Sequence, residues 1–226
     1  MLFFSPLDIV LLVPALLLSV YAQFKVSNTF SKMSQVRASS GLTGSQVAKG
    51  LLQANGLGHV GVEMVEGRLS DHYDPISKTL RLSPDVYQSN SLAALGVAAH
   101  ETGHALQHKA SYFPLTIRQS IFPVVRFGST LWLPMFFIGL FMSIPALIDA
   151  GIVLFAAAVI FHIVTLPVEF NASKRAIAQL KSGGYLVGNE VDGAKKVLDA
   201  AALTYVAAAA MAVLQLIRLL LIRGNE

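Results

Sequence analysis

Four long apolar stretches dominate the pattern of this chain. Leu7 to Phe24, Leu131 to Ile148, Gly151 to Val168 and Ala201 to Ile222 are almost free of charged residues. Each approaches the roughly 20 residues that an α-helix needs to cross a hydrocarbon core of about 30 Å. The pattern therefore predicts four membrane-spanning helices. Asp8 is the one charge of the first stretch and lies at its outer edge. Arg218 falls near the end of the fourth, where a long side chain reaches the headgroups. The first stretch has no basic leading segment and no small-residue cleavage site, so it reads as a retained anchor rather than a signal peptide. Only Asp149 and Ala150 separate the second and third stretches, which predicts a tight hairpin at that point.

Between the first two stretches the pattern changes to that of a folded segment. Thr43 to Asn55 has the spacing of an amphipathic helix, with Thr43 and Gln46 placed as a capping box and Asn55-Gly56 as a stop. His59 to Glu66 and Lys78 to Ser83 read as short strands, with a turn at Asp74-Pro75. Ser91 to His108 predicts a helix capped by Ser89 or Asn90. Pro114 to Gly128 is apolar but carries Arg118 and Arg126, and is expected to lie on the membrane surface. The expected organisation is an anchor over 1–24, a cytoplasmic catalytic region over 25–130 and a transmembrane hairpin over 131–168. A helix and loop over 169–200 and a last transmembrane helix over 201–226 complete it.

Composition agrees: 54% of residues are hydrophobic and 13% charged, against about a quarter charged in soluble domains. The net charge of +4 does not point to nucleic acid, because basic residues in such a chain flank its spans. Residues 25–126 hold ten Lys/Arg and residues 169–200 hold five, out of 17. The positive-inside rule then puts both segments in the cytoplasm and both termini outside. With no cysteine, disulfides, thiolate metal sites and cysteine nucleophiles are excluded.

The chemistry lies in His100-Glu101-Thr102-Gly103-His104, an H-E-x-x-H on a predicted helix. Residues four apart share one helix face, so two imidazoles there can hold one zinc ion at about 2.0–2.1 Å. Glu101 lies about 100° round the helix from His100, beside such a metal rather than on it. It is placed to take a proton from an activated water and pass it to a leaving amine. Gly103 allows another backbone to approach, and His108 continues the same face as a ligand, a supporting partner or a solvated side chain. A peptidase site needs a third protein ligand. Glu169 is the best candidate, since it follows the third span as His100 follows the first, and both then fall on one side of the membrane. The competing reading of Glu169 is an interfacial charge that closes a membrane helix.

The stretches Leu69 to Pro75, Leu80 to Pro84, Ala98 to His108 and Glu169 to Ala176 resemble the YugP-type family of neutral zinc metallopeptidases. That resemblance implies a mainly α, integral-membrane protein with a gluzincin-like catalytic core and a small β-sheet. It implies Zn2+ as cofactor, with His100, His104 and Glu169 as ligands and Glu101 as general base. The chain is also similar to HtpX-type membrane peptidases, in which an aspartate follows the glutamate ligand by four residues. Here that position is Ser173, which leaves the carboxylate partner of the site open. His72 and Tyr73, in the polar run Asp71 to Asp74, are candidate donors to an oxyanion; a plain turn is the alternative. The expected partners are the lipid bilayer and peptide or membrane-protein substrates, and nothing in the sequence specifies an oligomeric state. Two other functions fit the pattern less well. The apolar run before His100 is too short to span, which disfavours intramembrane cleavage. A zinc-binding scaffold without activity has no need of Glu101.

Overall fold

The computed structural model describes residues 6–67 and 69–224; the outer ends of the expected first and last segments, 1–5 and 225–226, lie outside them. Contacts divide the chain into two compact units. One comprises residues 1–23, 113–167 and 203–226, and the other residues 24–112 and 168–202. Among the described residues, four helices are long and apolar enough to cross a membrane: α1 (Pro6–Ser34), α5 (Phe113–Phe141), α6 (Pro145–Ser182) and α7 (Asn189–Gly224). Between α1 and α5 run α2 (Gly44–Ala54), β1 (Gly61–Met64), β2 (His72–Asp74), β3 (Thr79–Leu82), α3 (Pro84–Tyr87) and α4 (Leu92–Lys109).

In the apolar unit, Phe136 of α5, Ile148 and Ile152 of α6 and Leu219 of α7 form a buried cluster. Glycines bring α5 and α6 together: a Cβ on Gly151 would stand 2.9 Å from the Trp132 carbonyl oxygen. Small residues at such contacts are how helices associate where lipid offers no hydrophobic drive. The hairpin between α5 and α6 turns at Met142–Ile144, not at Asp149-Ala150. Ser143 takes the left-handed conformation at φ 55°. Pro145 opens α6, a position where its missing N–H costs nothing. Met142 and Ile144 are apolar, so the hydropathy profile runs through the turn unbroken. Asp149 instead lies inside α6 and accepts two bonds from Arg223 of α7, at 2.7 and 3.3 Å. The expected surface segment 114–128 is likewise no separate element; it forms the first half of α5, which continues past Pro123 and Pro134.

In the other unit the sheet has the order β1-β3-β2. β1 pairs parallel and β2 antiparallel with β3, with Tyr73 opposite Leu80. β2 was not expected as a strand: it is three polar residues long, and only pairing with β3 makes it one. The α2 capping box forms as the spacing predicts, with Thr43 Oγ1 accepting from Gln46 N and Gln46 Oε1 accepting from Thr43 N. The α4 cap is Ser91 rather than Ser89 or Asn90; its Oγ accepts from Ala94 N, while Ser89 supports Ser91 from outside the helix. α4 is the axis of this unit. Leu95 and Ala99 pack towards Ala176, Leu180 and Leu198 of the flanking helices. Ala94 and Ala98 pack towards Leu80, Leu82 and Val86 of the sheet side. A helix that is apolar all round is a buried helix, and this burial fixes the orientation of the polar residues that follow Ala99.

Candidate metal centre

Three side chains converge where α4 meets α6. His100 Nε2 lies 3.2 Å and His104 Nε2 3.7 Å from Glu169 Oε2. One nitrogen or oxygen from each of the three lies within 4.8 Å of the others. Donors about 2.0–2.1 Å from one tetrahedral ion stand about 3.4 Å apart. The spacing therefore fits a single zinc-sized ion, and the donor set of two imidazoles and a carboxylate is one that zinc accepts.

The helices can approach this closely because α4 has no side chain at Gly103. A Cβ there would stand 2.6 Å from the Ala172 carbonyl oxygen of α6. Ala172 is three residues beyond Glu169, so this contact sets the depth at which the carboxylate enters the site.

The other ring nitrogens are held by neutral groups. His100 Nδ1 is 3.1 Å from Ser173 Oγ, and His104 Nδ1 is 3.0 Å from Gln107 Oε1. Gln107 is fully buried. Its amide nitrogen donates to the Val168 carbonyl at 2.8 Å and to Asn171 Oδ1 at 3.0 Å. Asn171 Oδ1 also accepts from Arg175 Nε at 2.8 Å. These bonds fix the direction of the network. With its nitrogen spent as donor, Gln107 offers oxygen to His104, so His104 carries its proton on Nδ1 and keeps a lone pair on Nε2. That is the form a metal ligand requires.

Glu101 is buried, and among the described residues no hydrogen bond occupies its carboxylate. Asp71 lies within electrostatic reach of it. Burial pushes the Asp71 carboxyl up; bonds from Ser83 N at 2.7 Å and from Ser83 Oγ oppose that, and the Glu101 charge adds to it. His72 and Tyr73 are not bonded to the three converging side chains. His72 Nδ1 contacts the Ser70 carbonyl at 2.7 Å, and the Tyr73 hydroxyl meets His108 Nδ1 at 2.9 Å. His108 thus serves Tyr73 and is not one of the converging group. Sequence reasoning missed Gln107. Its signal was a buried-type amide three residues after His104, on the same helix face.

The family model described as "Putative neutral zinc metallopeptidase" matches residues 8–224. The chain belongs to this family. One curated relative, "Putative membrane protease YugP" of Bacillus subtilis (strain 168), is 51% identical over 219 residues, covering 97% of each chain. No solved structure matches. Zinc is the metal of this family, and the three converging donors could hold such an ion.

Proposed function

We propose that this family member is a membrane-bound zinc metalloendopeptidase that hydrolyses peptide or membrane-protein substrates at the cytoplasmic face. The observation that carries this reading is the convergence of His100, His104 and Glu169, with Glu101 within electrostatic reach of His104 and its carboxylate free of hydrogen bonds to the described residues. Zinc bound to the three donors supplies a Lewis acid that polarises a carbonyl and lowers the pKa of water from about 15.7 towards 7.

The chain's own residues do the rest. Glu101 accepts a proton from the attacking water and returns it to the departing amine. The His100 and His104 rings are kept in register by Ser173 and Gln107, which hold Nδ1 so that Nε2 faces Glu169. Burial of Glu101 limits exchange with bulk water and strengthens its interaction with the developing charge. The four apolar helices support a membrane location for the chain, and the basic segments that flank them support the cytoplasmic side.

The test is Glu101→Gln in detergent-purified, zinc-loaded protein. Turnover should fall by about 10²–10⁴, the usual contribution of a general base, with zinc content unchanged. Retained turnover removes Glu101 as the base. Wild-type protein that takes up no zinc removes the whole reading.

A further inference from the structure

A cavity of about 290 Å³ opens beside the C-terminal half of α4. Its floor is apolar, made by Leu57, Val60 and Ala105. Lys78, Lys109, His59, His108 and Tyr73 contribute the polar part of its lining, and no acidic residue lines it. Lys109 is not neutralised: its Nζ donates to the Asn55 carbonyl at 2.6 Å, a neutral acceptor that fixes the ammonium against the wall and leaves two donors free. Lys78 is exposed at the start of β3 and forms no ion pair with a described residue. The Tyr73 hydroxyl meets His108 Nδ1 at 2.9 Å, and burial, with the Asp74 charge, pushes the phenol up, so it stays protonated.

This cavity sits on the helix that carries the metal ligands. Ala105 and His108 follow His104 by one and four residues, about 1.5 and 6 Å along the axis, so the cavity lies within about one turn of His104 along α4. An extended peptide advances about 3.3–3.4 Å per residue, which puts the cavity within two or three residues of a bond held at the metal. We infer that it is a substrate subsite for a carboxylate, either an acidic side chain or the free end of the peptide, with Lys78 and Lys109 as the recognising cations. The apolar floor takes the carbon skeleton that carries the carboxylate. This deepens the peptidase reading and rests on it for the identity of the ligand as a peptide.

The experiment uses zinc-loaded full-length protein carrying Glu101→Gln, which binds without turnover. It is offered a pool of N-acetylated heptapeptides, each as free acid and as amide, with Asp/Glu and Asn/Gln versions at each position. Retained peptides are identified by mass spectrometry. Carboxylate forms should be enriched by about fivefold, the upper range for a partly exposed ion pair. The enrichment should vanish when Lys78→Gln and Lys109→Gln are added, with zinc content unchanged. Enrichment of free acids whatever the sequence assigns the chain end, and enrichment of Asp/Glu whatever the end assigns a side chain. No retention, no carboxylate preference, or a preference that survives loss of both lysines overturns the subsite. Turnover by the wild type is scored separately. A lysine-dependent carboxylate preference without any turnover would sink the peptidase reading and leave the cavity assigned.

Discussion

At the scale of single residues, the centre depends on two neutral side chains and one missing one. Gly103→Ala places a methyl group 2.6 Å from a backbone carbonyl that cannot rotate away. Overpacking of this kind costs about 1–3 kcal/mol, and relief requires α6 to move outward, taking Glu169 with it. The expected result is weaker zinc retention during dialysis against a chelator, with helical content kept; unchanged retention would show that the close contact does not set the ligand's position. Gln107→Leu is subtler. It keeps the volume but leaves His104 Nδ1 and the Val168 carbonyl without their partner. Zinc affinity should fall about 10–100-fold, the usual effect of removing a group that orients a histidine ligand. A zinc titration giving wild-type affinity would refute the orienting role. The pairing of the two histidines was legible in the sequence because their spacing is local to one helix. Glu169 was legible because spans alternate sides. Gln107 and Ser173 were not, because an uncharged polar residue acquires such a role only when two helices distant in sequence meet.

At the scale of elements, the sequence announces what is locally determined and is silent where pairing decides. The Thr43–Gln46 box and the strand β3 follow from their own residues. The strand β2 does not, since it has a single strong strand former, Tyr73, beside the strand-poor Asp74, and takes that form opposite Arg81, Leu80 and Thr79. The α5–α6 turn was misplaced for a related reason: charge drew attention to Asp149, while Ser143 and Pro145 mark the turn. The β2–β3 connection makes a prediction of its own. Asp74 accepts from Ile76 N at 2.9 Å, from Ser77 Oγ at 2.7 Å and from Arg81 Nη1 at 3.0 Å. The Ser77 hydroxyl, the Arg81 guanidinium and the Ile76 amide hold its carboxyl well below the usual carboxylate range. A carboxyl lowered in the folded state stabilises above its unfolded pKa of about 3.9 and loses that contribution as pH falls through the folded value. Asp74→Ala should therefore lower the melting temperature at pH 7 by a larger margin than at pH 2. An equal deficit at both would mean that the loop geometry, not the charge, is what Asp74 supplies.

At the scale of the whole molecule, the charges make a definite prediction of which side of the membrane each loop faces. Fifteen of the 17 basic residues fall in segments 25–126 and 169–200, and one of the remaining two, Arg223, is tied to Asp149. The α5–α6 turn at Met142–Ile144 carries no charge. Transfer of lysine and arginine outward is what the positive-inside rule opposes, so the two basic segments are predicted to share the inner side and the turn to lie outside. The absence of cysteine gives this a clean test, because a single introduced thiol is the only one that a maleimide can find. Ile76 is 94% exposed, Met142 65% and Val187 56%, so each can be replaced by cysteine without opening a core. In intact cells a membrane-impermeant maleimide should label Met142→Cys and spare Ile76→Cys and Val187→Cys; inverted vesicles should reverse the pattern. Outward labelling of both Ile76→Cys and Val187→Cys would keep a one-sided centre but move it out of the cytoplasm. Labelling of these two from opposite sides would be far more damaging. His100 and Glu169 would then belong to loops separated by the bilayer, and no shared zinc ion would be possible.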